Sequence, residues 1–77
     1  MYIILEIQEQ EQGSVPATLT YTAETLDEAK SKYHSILQYA AASTIYRHSA
    51  VVIDTNGKYL ARECYEHVPQ TGEEVTA

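Results

Sequence analysis

Two histidines near the outer ends of an apolar hairpin are the residues of this chain whose types and spacing could support chemistry. His48 lies just before the run AVVID, and His67 ends the segment ARECYEH, which also contains Glu63. Imidazole nitrogens and carboxylate oxygens bind zinc, so His48, Glu63 and His67 are candidate metal ligands. No short CxxC or HxxxH spacing supports such a site. We therefore favour histidines that hydrogen-bond locally or at an interface, and we predict no metal and no cofactor.

The register of the hairpin decides which side chains accompany the histidines. Asn56-Gly57 is typical of a type I′ turn, which would pair Thr55 with Lys58. Side chains alternate along a strand, so this register divides the hairpin into two faces. One face would hold Ser49, Val51, Ile53, Leu60 and Cys64. The opposite face would hold Tyr46, His48, Ala50, Val52, Tyr59, Ala61, Glu63, Tyr65 and His67.

The residues before the hairpin predict two strands and a helix. Met1 to about Glu9 is apolar on both sides, as in a central strand, and ATLTYTA has the alternation of an edge strand after a polar loop. Thr25 and Glu28 have the spacing of a capping box, so a helix begins there. Its apolar stripe continues from Leu26 to Thr44.

This order of elements predicts an α+β fold: a two-layer ββαββ arrangement with a four-stranded antiparallel sheet and one helix packed on one face. We expect a single domain over residues 1–67 and a flexible tail over 68–77, where Pro, Gly and charge interrupt any apolar period.

One helix covers only one face of such a sheet, and we expect the tyrosine-bearing face to be left open. A soluble monomer seldom exposes a large apolar patch, so a symmetric homodimer through this face would enlarge the core of a small domain. The alternative is that the tyrosines lie flat on a hydrated sheet. The predicted interface and binding residues are Tyr2, Ile4, His48, Val52, Tyr59, Ala61, Glu63, Tyr65 and His67.

Composition restricts the partners and the compartment. Five Lys and Arg against eleven Asp and Glu give a net charge of −6, which opposes binding to nucleic acid or to an anionic membrane surface. The single cysteine, Cys64, cannot form an internal disulfide, and the first residues lack the basic region of a signal peptide. These features favour a cytoplasmic protein.

The chain lacks the motifs of an enzyme. It has no Gly-rich phosphate loop, no GxSxG elbow and no spaced pair of carboxylates. Cys64 would lie opposite Ser49 rather than a histidine, and we expect it to be buried as a small apolar residue. We predict a protein without catalytic residues.

The segments MYIILEIQ, EAKSKYHSILQYAAAST and HSAVVIDTNG…ECYEH together resemble a family of small uncharacterised proteins from bacteriophages and prophages of Firmicutes. The resemblance covers most of residues 1–67, although the loop at 9–16 is richer in Glu and Gln than that family suggests. It implies a phage origin and expression in the host cytoplasm, and it implies no activity or cofactor.

Two functions follow as hypotheses. The first is a non-enzymatic phage accessory protein that acts by homo-oligomerisation and by binding an unknown protein partner. The alternative is a small-ligand binder, either for a metal or as an anti-defence sponge for a host signalling nucleotide. In a sponge, tyrosines would stack on the base, and Arg47 and Arg62 would offset the negative charge.

Overall fold

The computed structural model describes residues 1–67, so the predicted flexible tail at 68–77 lies outside the described residues. The elements are β1 (Tyr2–Glu9), β2 (Ala17–Ala23), α1 (Leu26–Ala42), β3 (Arg47–Asp54) and β4 (Tyr59–Glu66). This order confirms the predicted ββαββ fold. Within the described part of the chain, no helix is long and apolar enough to cross a membrane.

The strands form one antiparallel sheet in the order β2-β1-β3-β4. β1 lies inside the sheet between β2 and β3, as its apolar residues on both faces predict, and the Thr-rich β2 is an edge strand. The pairs Ile4↔Val52 and Leu5↔Val51 fix the register of the two central strands. The first and last strands of the sheet therefore both have an unpaired edge within the described chain.

The helix begins at the predicted capping box. The Thr25 hydroxyl accepts from the backbone N–H of Glu28 at 3.1 Å, and the Glu28 carboxylate accepts from the N–H of Thr25 at 3.2 Å. The helix ends at Ala42, earlier than the predicted stripe, because Ser43 is extended and its N–H bonds back to the carbonyl of Ala40. The helix buries Ala29, Tyr33, Ile36 and Ala40.

The core lies between the helix and the face of the sheet that we expected to be open. Ile4, Ala50 and Val52 are 0% exposed and pack with Ala29 and Ile36 of the helix. The expectation that the tyrosine-bearing face is uncovered is therefore wrong. The physical reason is that small side chains at Ala50 and Ala29 let the helix approach this face closely.

The β3–β4 turn also differs from the predicted type I′ geometry. Gly57 has a φ of 87°, but no non-glycine residue among residues 1–67 has a positive φ, whereas a type I′ turn requires one at Asn56. The N–H of Gly57 bonds to the carbonyl of Asp54 at 3.0 Å, and the N–H of Asp54 bonds to the carbonyl of Lys58 at 2.9 Å. The loop therefore has three residues, with glycine in the left-handed conformation at its end.

A second irregularity restores the predicted register beyond the turn. Ile53 pairs with Tyr59, whereas Val52 pairs with Ala61, so Leu60 is an extra residue in β4. From Val52↔Ala61 to Arg47↔Glu66 the pairs are those predicted. Only Tyr59 changes face: it pairs with Ile53, on the side of the sheet away from the helix.

Candidate functional site

A buried histidine–carboxylate pair lies under the C-terminal end of α1. His48 is 2% exposed, and its Nε2 lies 2.7 Å from Oε2 of Glu6 on the neighbouring strand β1. Its Nδ1 lies 3.3 Å from the hydroxyl of Ser43, the residue that ends the helix. An ionised carboxylate only accepts hydrogen bonds, so Nε2 donates to Glu6. Strands β1 and β3 and the end of the helix together position the imidazole.

Two further side chains donate to the same carboxylate. Gln8 Nε2 donates to Oε2 at 2.8 Å, and the Tyr21 hydroxyl donates to Oε1 at 3.3 Å. Burial raises the pKa of Glu6, but the bonds from His48, Gln8 and Tyr21 and the attraction of His48 outweigh it, so the pKa lies below its ordinary value of 4.5. The side chains of His48, Gln8 and Tyr21 thus all hydrogen-bond to Glu6, as expected of a cluster that stabilises the fold.

His67 makes a separate contact with the helix end. Its Nε2 lies 2.8 Å from the carbonyl oxygen of Ala40, which can only accept, so the ring donates to a carbonyl of the last turn that also accepts from the N–H of Ser43. Its ring also stacks on Tyr65, with centroids 6.5 Å apart. His48 and His67, which the predicted register placed close together, thus both contact the C-terminal end of α1, but they have different hydrogen-bond partners.

The candidate metal ligands do not form a metal site. Among residues 1–67, no group of three His, Cys, Asp or Glu side chains could hold a metal ion. Nε2 of His48 faces Glu6, and Nε2 of His67 faces a backbone carbonyl. Glu63 is exposed on β4, where its carboxylate accepts from the N–H of Cys64.

The predicted interface residues have unequal access to a partner. Ile4, His48 and Val52 are buried beneath the helix and are not accessible in this fold. Tyr2 and Ala61 pack partly buried against the core, and His67 is half-buried. Tyr59 and Tyr65 are 55% and 38% exposed, and Glu63 is also exposed. For these exposed residues the interface role stays a prediction.

The other face of the sheet, which we call the open face, carries no element of the described chain. It consists of the residues that alternate with the core positions. Its centre is a row of half-buried apolar side chains on β1 and β3, flanked by threonines on β2 and by polar residues on β4. The apolar members of β1 and β3 are Ile3, Leu5, Ile7, Val51 and Ile53.

Sequence reasoning did not identify this row as a binding surface, although the signal was present. Ile3, Leu5 and Ile7 alternate with Tyr2, Ile4 and Glu6, so β1 is apolar on both sides. That pattern indicates a strand covered on two sides, but residues 1–67 supply a helix for only one of them.

Charged residues border the open face at one end. Arg47 Nη2 lies 2.8 Å from Glu66 and its Nη1 lies 3.3 Å from Glu9, so the guanidinium bridges β1, β3 and β4. A second arginine, Arg62 on β4, lies over the ring of Tyr59, 5.7 Å from the ring centroid. Both arginines therefore belong to the open face rather than to the helix-covered one.

A shallow depression of about 460 Å³ lies on this face, lined by residues that include Ile7, Ser49, Arg62 and Cys64. Cys64 is exposed there, which corrects the expectation that it is buried. Partial desolvation and the nearby carboxylates, led by Glu66, raise the pKa of the Cys64 thiol, and Arg47 only partly offsets them. A thiol held protonated is a poor nucleophile.

Over residues 1–67, the fold and these sites define a small α+β sandwich with one helix, a buried histidine–carboxylate pair beneath the helix and an apolar sheet face. Comparisons with known protein families, curated proteins and solved structures find no match. The resemblance to phage and prophage proteins stays a prediction.

Proposed function

We propose that this chain is a non-enzymatic domain that works by self-association and protein binding, and that the open face is the surface it uses. The observation that carries this proposal is the row Ile3, Leu5, Ile7, Val51 and Ile53, which the helix does not cover. Burial of such a row stabilises an association by about 25 cal/mol for each Å² of apolar surface removed from water. A domain of this size also gains the most from enlarging its core.

The phage accessory role and the cytoplasmic location belong to this proposal. They are supported by the resemblance of three sequence segments to phage and prophage proteins and by a cysteine that is free within the described chain.

Sedimentation or light scattering tests the proposal. We expect a mass that is a multiple of 8.6 kDa and depends on concentration. Val51→Lys places a charge at the centre of the open face and should give a monomer. Tyr39→Lys is the matched control, because Tyr39 is 74% exposed on the helix and lies away from this surface. A wild-type chain that stays monomeric at high concentration would contradict self-association.

A small-ligand binder is a second candidate, because Arg62 and Tyr59 lie together beside the depression. A guanidinium and an aromatic ring side by side suit a phosphorylated nucleotide. Thermal shift against cyclic nucleotides tests this role, since a ligand at 100 times its Kd should stabilise the fold by about 2.7 kcal/mol. Loss of any shift in Arg62→Gln would link binding to this position.

A further inference from the structure

The register of the four strands arranges the open face in rows that run across the sheet. One row is Thr22, Ile3, Ile53 and Tyr59; the next is Thr20, Leu5, Val51 and Arg62. A third row is Thr18, Ile7, Ser49 and Cys64, and the last is Glu9, Arg47 and Glu66. The rows are apolar in the middle, hydroxyl-bearing on the β2 side, and charged at one end.

From this arrangement we infer that a second copy of the chain covers the open face, related by a two-fold axis that runs parallel to the strands between β1 and β3. The inference deepens the proposed function and rests on it. This axis places β1 of one copy on β3 of the other. Leu5 then faces the partner's Val51, and Ile3 faces the partner's Ile53. Each copy buries its apolar centre on the centre of the other.

Charge complementarity selects this axis. It brings Glu9 over the partner's Arg47, and by symmetry Arg47 over the partner's Glu9, so two acid–base contacts close the end of the interface. Packed sheets lie about 10 Å apart and cross at about 30°, a gap that the long side chain of arginine can reach across. Arg62 falls over the threonines of the partner's β2, where no positive charge opposes it.

The competing arrangement is less favourable. A two-fold axis perpendicular to the strands, through the row of Leu5 and Val51, places Leu5 on the partner's Leu5. It also places Arg62 on the partner's Arg62, a contact between like charges. Glu9 and Arg47 would then extend past the facing rows and gain no charged partner across the interface.

Disulfide trapping distinguishes the two axes. In a Cys64→Ser background, Leu5→Cys and Val51→Cys are made as separate proteins, one of them carrying an affinity tag, and mixed under mild oxidation. We expect the mixture to form the disulfide between the two variants, and each variant alone to form little. Efficient self-linking of each variant alone would overturn the inferred axis in favour of the perpendicular one.

A charge test avoids any change to the apolar row. Arg47→Gln should weaken association about tenfold, because it removes the contact with the partner's Glu9. Arg62→Gln is the matched control on the neighbouring strand and should change the dissociation constant by less than about twofold. Tighter association of Arg62→Gln would overturn the inference, since it would reveal a contact between like charges.

These outcomes separate the inference from the proposed function. A wild-type chain that is monomeric in sedimentation overturns both. A dimeric wild type, together with no mixed disulfide between Leu5→Cys and Val51→Cys and no response to Arg47→Gln, overturns the axis alone. Thermal unfolding of each variant shows that a negative result comes from a folded protein.

Discussion

Replacing Glu6 by glutamine should destabilise the fold, because its carboxylate is the centre of the buried polar cluster. Oxygen Oε2 accepts from both His48 at 2.7 Å and Gln8 at 2.8 Å. Glutamine has nearly the same shape, so the substitution leaves no cavity. Its amide oxygen can accept from His48 and Gln8 but without the charge of the carboxylate, and its NH₂ group replaces the oxygen that accepts from the Tyr21 hydroxyl.

The magnitude follows from the burial of the partners. Hydrogen bonds to a charged group contribute about 1.5–3 kcal/mol, and His48 is 2% exposed, so it has little water to replace the lost acceptor. We expect the free energy of unfolding at pH 7 to fall by about 2–3 kcal/mol. This is a large share of the roughly 5–15 kcal/mol that stabilises an ordinary domain.

The same carboxylate predicts how stability depends on pH. The pKa of Glu6 in the fold is lowered below 4.5, so the folded state favours the ionised form. This contribution is fully present above the unfolded pKa of 4.5 and is lost as the pH falls through the folded pKa. The wild type should therefore lose stability below about pH 4.5 more steeply than Glu6→Gln.

Urea unfolding followed by circular dichroism measures both effects. All variants are compared at one protein concentration, because association would add to the apparent stability. The matched control is Glu66→Gln, which breaks a pair with Arg47 whose side chains are 46% and 50% exposed. An exposed pair contributes at most about 1 kcal/mol. The reasoning is refuted if Glu6→Gln is as mild as Glu66→Gln and keeps the same slope in acid.

Three further substitutions test the packing, the turn and the cap. Ile36→Ala removes a core side chain that is 3% exposed and should reduce the free energy of unfolding by about 2–5 kcal/mol in urea titration, whereas Tyr39→Ala should change it little. Gly57→Ala should lower the thermal midpoint and reduce the free energy of unfolding by about 1 kcal/mol, because the φ of Gly57 is 87°, which alanine rarely adopts. No atom obstructs a Cβ at this position, so the loss comes from the backbone alone, and Gly57→Asn should reduce the free energy of unfolding less. Thr25→Ala should lose about 1 kcal/mol of stability in the same assay and Thr25→Ser should restore most of it.

Local signals in the sequence predicted much of the fold. The capping box at Thr25 and Glu28 located the start of the helix, because both bonds form between residues close in sequence. The apolar residues on both sides of β1 predicted an inner strand. The type of turn at Asn56-Gly57 was not predictable, because the same dipeptide serves a two-residue loop and a three-residue loop that ends in glycine. The bulge at Leu60 has no local signature and compensates for the longer loop.

The cluster around Glu6 was not predicted for a different reason. Its members are distant in sequence: His48 is brought to Glu6 by the pairing of β1 with β3, and Tyr21 by the pairing of β1 with β2. The pairing of His48 with Tyr65 in the hairpin was correctly predicted, but a hairpin alone does not show which other strand lies beside it. In the sequence, the only indication was Glu6 itself, because a carboxylate within the apolar run of β1 needs a polar partner on the side that faces the helix.

Which face the helix covers depends on side-chain size rather than on hydrophobicity. Both faces of β1 and β3 are apolar, so a count of apolar residues does not choose between them. The helix presents Ala29 and Ala40, both 0% exposed, and the face with Ala50 and Ala61 lets it approach the sheet closely. Both faces carry β-branched residues, but the open face has no alanine among Ile3, Ile7 and Val51, and such side chains project evenly from a sheet and pack well against a second sheet. The same difference in size that draws the helix to one face therefore leaves the other face shaped for a sheet, which a second copy of this chain would supply in the dimer that we infer.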